Sequence, residues 1–255
     1  MSNVISRFSC VIAYSLLFVS LCNGPGMNQH NALGQTQTEE PRFTPPPGEE
    51  TAEIRNLIDK AQSSLGNGRA TTTTLLTDPG FMPAHAFPRY RQLIRDGSKA
   101  NETTLVSPQE PGEPLIVNGI IRDQQARPIK GALIYVYQTS AKGWYSDKAP
   151  HISGMSGDEK YARLFAYLTT NQDGQYEIRT IRPAGYPNSN LPAHIHIEIK
   201  APGNERTSLI SEILFDDDPR LTKEMRERAL REKLFIFPVK REANGVQRVK
   251  ADFKL

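Results

Sequence analysis

Cysteine is almost absent from this 255-residue chain, whose two cysteines, Cys10 and Cys22, both fall within the first 22 residues. If that stretch is removed, no cysteine remains, which excludes a disulfide scaffold and a cysteine-based zinc site. Long runs of positive charge are absent too, because 31 Lys and Arg residues are nearly balanced by 28 Asp and Glu residues. The charge balance therefore gives no basis for binding nucleic acid. Any metal would have to be held by histidine, tyrosine or carboxylate side chains.

The apolar runs are too short for a membrane-spanning helix, which needs about 20 apolar residues. The longest run, over residues 8–21, has 14 residues and suits the apolar segment of an export signal. Residues 1–22 are therefore predicted to be an export leader. The end of this leader, Val19-Ser20-Leu21-Cys22, is similar to a lipoprotein box, so a cleaved signal and a lipid on Cys22 both stay open. We expect an exported protein (periplasmic, extracellular or lipid-anchored) that touches a membrane only through such a lipid.

The composition of the chain changes twice after the leader. Residues 23–50 are rich in Gln, Asn, Thr, Pro and Gly and have almost nothing to bury, which is typical of a disordered tether. A short helical and irregular segment is predicted over 51–105, with one helix over 52–65 and another around 89–95. A β-sandwich domain is predicted over 106–255.

Short runs rich in β-branched and aromatic residues begin at Leu115. They are LIVNGII, ALIYVYQ, RLFAYLTT, YEIRTI, HIHIEIK, LISEILF, LFIFPVK and VKADFKL. Turn residues separate the runs, and Asp173-Gly174 between RLFAYLTT and YEIRTI predicts a hairpin. Among these strands, a helix is predicted only around 221–233. The pattern indicates an all-β protein with a β-sandwich core.

Two histidines, His194 and His196, stand two residues apart in a predicted strand. Because side chains alternate along a strand, both leave the same face, about 6.6 Å apart along the backbone. Such a pair can bind one metal, or it can be two exposed histidines on a polar sheet face. The other three histidines, His30, His85 and His151, are isolated in the sequence. Histidine alone therefore predicts no complete ligand set.

Two tyrosines can complete the set. Tyr145 follows the run ALIYVYQ, and Tyr186 lies eight residues before His194. A free phenol titrates near pH 10, but a hard trivalent cation can displace its proton and bind the phenolate. Two phenolates with two neutral imidazoles suit Fe(III) better than Zn(II). Taken singly, either tyrosine is more often a core or loop aromatic residue.

Two blocks of the sequence resemble the catalytic domain of the intradiol ring-cleavage dioxygenases, especially the protocatechuate 3,4-dioxygenase branch. They are PLIVNGIIRDQQARPIKGALIYVYQTSAKGWYSD and LTTNQDGQYEIRTIRPAGYPNSNLPAHIHIEIKAPG. The resemblance covers about residues 80–240 and rests on the ordered set G-x-Y, P-x-x-Y-P and P-A-H-I-H. The first block alone also resembles transthyretin-like and carboxypeptidase-regulatory sandwiches, which carry no metal. We therefore expect a sandwich of that architecture.

The resemblance implies a metal site and a reaction. Tyr145 and His194 match the equatorial ligands of a non-haem Fe(III), and Tyr186 and His196 match the axial pair. A catechol-type diol and O2 would be the substrates, with Tyr186 leaving the metal as the diol binds. The ring would open between the two hydroxyls to give a muconate-type diacid, with iron as Lewis acid and template. Family members range from dimers to large assemblies, which leaves a homo-oligomer open.

Two residues expected at the catalytic site depart from the family pattern. Leu191 stands where an arginine commonly precedes the P-A-H-x-H block, and Glu212 stands where the next strand commonly has a glutamine. An alkyl chain thus replaces a cation, and an ionisable carboxyl replaces a neutral amide. Because two facing carboxylates repel each other, we expect a neutral catechol or larger hydroxylated aromatic to be favoured over protocatechuate.

Two other functions stay open on the sequence. One is a transthyretin-like binding or accessory module with a vestigial or non-catalytic metal site. The other is a zinc hydrolase, which lacks an obvious general base. The ordered ligand set favours the dioxygenase, because a binding module has no need for two correctly placed tyrosines.

Overall fold

The computed structural model describes residues 49–146, 162–187, 189–232 and 235–255. The predicted leader, nearly all of the predicted tether, His30 and His151 lie outside these residues. Most helices come first in the described chain, and strands of two sheets follow with one further helix among them. Among the described residues, no helix combines the length and the apolar character needed to cross a membrane.

The described chain has four α-helices and one 3-10 helix, and three of the α-helices lie where the sequence predicts them. The five are α1 (Ala52–Gly66), α2 (Thr72–Thr77), a 3-10 helix (Pro79–Ala84), α3 (Pro88–Gly97) and α4 (Lys223–Glu232). The Thr51 hydroxyl accepts a hydrogen bond from the Ile54 N–H and so begins α1, and proline at the first position begins α3. The predicted helices over 52–65, around 89–95 and within 221–233 are confirmed. The short helices α2 and Pro79–Ala84 were not predicted.

Eleven strands are assigned in the described chain. They are β1 (Glu102–Thr104), β2 (Pro114–Arg122), β3 (Leu133–Gln138), β4 (Leu164–Thr169), β5 (Gln175–Ile181), β6 (His194–Lys200), β7 (Leu209–Phe215), β8 (Phe235–Phe237), β9 (Val239–Arg241), β10 (Gln247–Lys250) and β11 (Phe253–Lys254). One sheet has the order β1-β5-β2-β10-β9, with β11 also on β2, and the other has β4-β3-β6-β7-β8. Both sheets mix parallel and antiparallel pairs. The predicted β-rich fold of two sheets with few helices is confirmed.

The core is built from the alternating side chains of both sheets. Val117 and Ile178 from the first sheet, and Ile134 and Ile197 from the second, are fully buried in one hydrophobic cluster. Residues of the N-terminal helices, such as Tyr90 of α3, belong to the same cluster. Strand β1 also joins the first sheet, parallel to β5. The segment before the strands therefore packs into the core of the sheets.

The hairpin predicted at Asp173-Gly174 is wrong. The turn forms, since the Gly174 N–H donates to the Asn171 carbonyl at 3.1 Å, with φ of 69° at Gly174. However, β4 pairs with β3, whereas β5 pairs with β1 and β2. A Cβ at Gly174 would lie 2.6 Å from the Ile121 carbonyl oxygen of β2, so the turn packs directly against the first sheet. Asp-Gly specifies the tight turn but not which strands pair after it, and here the chain crosses between the sheets.

Candidate metal centre

Strand β6 presents its two histidines on the face that points away from the core. Ile195 and Ile197 point inward and are buried, whereas His194 and His196 alternate with them on the opposite face. The Nε2 atoms of the two histidines are 3.1 Å apart, and their rings are nearly perpendicular. The prediction that the pair shares one face is confirmed.

The two tyrosines reach the histidines from separate loops. Tyr145 lies in the loop after β3, and Tyr186 lies in the loop between β5 and β6. These loops touch through glycines, because a Cβ at Gly143 would lie 2.4 Å from the Gly185 carbonyl oxygen. Gly143 also has φ of 79°, in the left-handed region that favours glycine. The glycine of the G-x-Y motif thus allows the approach that brings the phenols together.

The four side chains bring their donor atoms to one point. Tyr145 Oη is 2.6 Å from Tyr186 Oη and 2.8 Å from His196 Nε2. Tyr186 Oη is 3.0 Å from His194 Nε2 and 3.5 Å from His196 Nε2. Tyr145, Tyr186 and His194 are 2%, 5% and 7% exposed. The structure therefore brings together all four residues that the sequence predicts as metal ligands.

The donor set fits a metal ion. Two ligands bound about 2.0–2.1 Å from one ion at a right angle would lie about 3 Å apart, which matches the separations of these atoms. The Nδ1–H of His194 donates to the Pro192 carbonyl at 2.8 Å, which leaves the Nε2 lone pair facing the other donors. Two phenols in the set favour a hard, highly charged cation such as Fe(III), which can hold them as phenolates.

Tyr137 adds an aromatic contact that the sequence did not predict. Its ring lies 4.4 Å from the ring of His196 at an interplanar angle of 7°, so the two are stacked. The contact follows from the register of the sheet, in which Tyr137 of β3 is paired with His196 of β6. The tyrosine in ALIYVYQ is visible in the sequence, but no local pattern indicates which strand becomes its neighbour.

Glu212 lies beside His196 but outside the group of four donors. It is paired with His196 across β6 and β7, and its Oε1 is 3.9 Å from His196 Nδ1. His194, His196 and Glu212 can offer ligand atoms within 4.8 Å of one another. However, His196 faces the phenols through Nε2, and one imidazole cannot present both ring nitrogens to the same ion. Glu212 therefore lies on the opposite side of the His196 ring from the phenols.

Leu191 lies on the apolar side of the site. Its side chain packs against a small cluster formed by Tyr145, Ala162 and Tyr186. An alkyl group at this position contributes packing and keeps water from the phenols, but it offers no charge or hydrogen bond.

The fold and the site together define a two-sheet β-protein with a candidate metal centre of two tyrosines and two histidines. A family model described as Dioxygenase matches residues 87–255. The chain belongs to this family, the intradiol ring-cleavage dioxygenases.

Similar proteins include catechol dioxygenases. Catechol 1,2-dioxygenase of Acinetobacter baylyi is 30% identical over 181 residues, which are 64% of this chain and 51% of that protein. Chlorocatechol 1,2-dioxygenase of Rhodococcus opacus is 33% identical over 129 residues, which are 44% and 47% of the two chains. The dioxygenase domain of a carbohydrate-binding fusion protein from Streptomyces sp. SirexAA-E is 28% identical, with a TM-score of 0.45, over 62% of this chain and 88% of that one. The chain spans about half the length of the curated relatives it matches.

Proposed function

We propose that this protein is an Fe(III)-dependent intradiol dioxygenase. It binds a catechol-type diol and O2 and cleaves the ring between the two hydroxyls to give a muconate-type diacid. The convergence of the donor atoms of Tyr145, Tyr186, His194 and His196 carries the proposal. The names of the catechol and chlorocatechol dioxygenases among its relatives support the substrate class. They also disfavour the non-catalytic binding module.

Each of the four residues has a task that its contacts define. A bound ferric ion supplies Lewis-acid chemistry and a template for the diol. The Nδ1–H of His194 donates to the Pro192 carbonyl, which orients the ring with Nε2 toward the other donors. The phenols of Tyr145 and Tyr186 would hold such a cation as phenolates. The oxygen of Tyr186, which lies within the donor group, would be placed to accept a proton from a diol hydroxyl.

The proposal includes the finer architecture. The two sheets are assigned to the transthyretin-like and carboxypeptidase-regulatory arrangement, supported by the block R-P-I-K-G-A-L-I-Y-V and the packing of both sheets on one core. On this scaffold the site lies on the outer face of the second sheet, at the N-terminal end of β6, where the loops of Tyr145 and Tyr186 meet. The loops can therefore vary with the substrate while the core stays the same.

Substrate choice tests the proposal. We expect kcat/KM for catechol or a 4-alkylcatechol to exceed that for protocatechuate by at least about tenfold, or about 1.4 kcal/mol. The reason is that Leu191 supplies an apolar wall and Glu212 a carboxyl, neither of which favours a carboxylated ring. The products should be identified by mass spectrometry and NMR as cleaved between the two hydroxyls.

Glu212→Gln is the matched variant for this series, because it removes the charge and keeps the shape. It should raise activity on protocatechuate relative to catechol. A wild-type protein that prefers protocatechuate tenfold would contradict the assigned roles of Leu191 and Glu212. No ring-cleaved product from any diol would contradict the proposed reaction itself.

We also propose that the protein is exported. The support is the apolar run of residues 8–21 and the tether-like composition that follows it. Mass spectrometry of the native protein should find a mature N-terminus near residue 22 or an acyl group on Cys22. An intact N-terminus in a cytosolic fraction would contradict export.

A further inference from the structure

The turn after β7 is tied to the loop that carries Tyr186. This loop, residues 182–193, ends directly before His194. Asp218 in the turn is buried, and its Oδ2 accepts a hydrogen bond from the Ala193 N–H at 3.0 Å. Its Oδ1 accepts one from the Arg220 N–H at 2.8 Å. One carboxylate thus fixes both the chain before His194 and the chain at Arg220.

The side chain of Arg220 bonds to the backbone of the same loop at two points. Its Nη1 donates to the Tyr186 carbonyl at 3.1 Å and to the Leu191 carbonyl at 3.3 Å. Hydrogen bonds from a charged donor are stronger than neutral ones, and one guanidinium nitrogen here joins two carbonyls five residues apart. The side chain of Arg220 is bonded to the backbone of this loop and not to the phenol.

Gly185 makes room for this contact. A Cβ at position 185 would lie 2.4 Å from Arg220 Nη1 and 2.7 Å from the Leu191 carbonyl oxygen. The guanidinium therefore occupies the space that a side chain at 185 would fill. Gly185 therefore allows the close approach of Arg220, whereas the close approach of the two tyrosine loops depends on Gly143.

We propose that Arg220 is a positioning residue for Tyr186. It holds the backbone on both sides of the loop while the phenol of Tyr186 changes partners, so the side chain moves without the chain that carries it. This inference rests on the proposed function, in which Tyr186 leaves the donor group as the diol binds. Without the tie, the loop would have more conformations to lose before the phenol returned to its place.

Arg220→Gln and Arg220→Lys test the proposal against Arg55→Gln. Arg55 is a matched control because its Nη1 also donates to a backbone carbonyl, that of Glu50 at 2.7 Å. Arg55 lies in α1, outside the loop that carries Tyr186. The first measurement is amide hydrogen exchange of peptides from residues 182–193 in metal-free protein. We expect about fivefold or faster exchange in Arg220→Gln, an intermediate rate in Arg220→Lys, and the wild-type rate in Arg55→Gln.

The second set of measurements uses the iron-loaded protein. Arg220→Gln should shift or weaken the phenolate-to-iron absorption band and lower kcat about tenfold, with KM changed less than about twofold. Arg220→Lys should restore part of both. Because partial unfolding also lowers apparent kcat at unchanged KM, kcat is expressed per bound iron in protein that thermal melting shows to be folded, and all three variants are compared on that basis.

The outcomes separate the two proposals. The role of Arg220 is overturned if Arg220→Gln and Arg55→Gln show the same exchange rate in the loop. It is also overturned if the two variants have the same absorption band and the same kcat. Wild-type protein with neither the band nor a ring-cleaved product overturns the proposed function. In that case loop exchange alone decides whether Arg220 holds the loop, with faster exchange supporting it and unchanged exchange refuting it.

Discussion

Replacing both His194 and His196 by alanine should abolish iron binding and ring cleavage while the protein stays folded. The two imidazoles supply half of the donor group, and their Nε2 atoms lie 3.1 Å apart within it. Two phenols alone would leave an ion with too few protein ligands to be retained. We expect iron to fall from about one per chain to less than about a tenth, and kcat/KM to fall at least about a thousandfold.

The fold should survive because the core lies on the other face of β6. Ile195 and Ile197 are buried between the sheets, and the double substitution does not touch them. A loss of about 1–3 kcal/mol is expected because the phenols lose their hydrogen bonds to the two imidazoles. Elemental analysis and visible absorption measure the metal, and far-UV circular dichroism with thermal melting measures the fold.

His85 provides the matched control for a buried histidine outside the site. Its Nδ1–H donates to the Arg163 carbonyl at 2.8 Å, and burial lowers its pKa to about 4. His85→Gln should destabilise the protein but keep iron and colour. Full iron retention in the His194→Ala/His196→Ala protein would refute the assigned ligands.

The site could be predicted from the sequence because its parts are local. A period of two places His194 and His196 on one face whatever the rest of the sheet does. Tyr145 and Tyr186 were identified as ligands through the resemblance of G-x-Y and P-x-x-Y-P to the family pattern, and Gly143 of G-x-Y allows their loops to meet. The donor distances follow once the two tyrosine loops meet the beginning of β6.

The features that the sequence did not predict depend on which segments become neighbours. Asp173-Gly174 specifies a turn, but the pairing of β5 with β2 decides that no hairpin forms. Tyr137 stacks on His196 only because β3 pairs with β6 in that register. Arg220 donates to carbonyls about 30 residues away in the chain. Because every residue has a backbone carbonyl, such a bond requires no particular side chain at the accepting residue and gives no sequence pattern.

Arg91→Met should be among the most destabilising single substitutions in the chain. Arg91 lies on α3, is 8% exposed, and donates from Nη1 to the carbonyls of His85 at 3.1 Å and Ala162 at 2.9 Å. Its Nη2 donates to Tyr135 Oη, and its guanidinium lies 3.7 Å from the centre of the Phe165 ring. One side chain thus connects α3 with β3, β4 and the residue that precedes β4 by two positions.

The cost follows from the partners left behind. Methionine fills similar space but leaves two carbonyls and a phenol unpaired, and it loses the cation–π contact. Burial raises the pKa of Tyr135 to about 12, so the phenol is neutral and no unpaired charge remains. Relief from burying a guanidinium offsets part of the loss. We expect the free energy of unfolding to fall by about 2–4 kcal/mol.

Arg89→Met, on the same helix, separates this effect from a general loss of charge. Arg89 has a side chain that is 41% exposed and forms ion pairs with Glu50 and Asp59 at the surface, so its loss should cost less than about 1 kcal/mol. Urea unfolding of both variants measures the difference. Ala162 packs with Tyr145 and Tyr186, so Arg91→Met should also speed iron loss to a chelator, whereas Arg89→Met should not. Equal stability of the two variants would show that the bonds of Arg91 contribute no more than a surface ion pair.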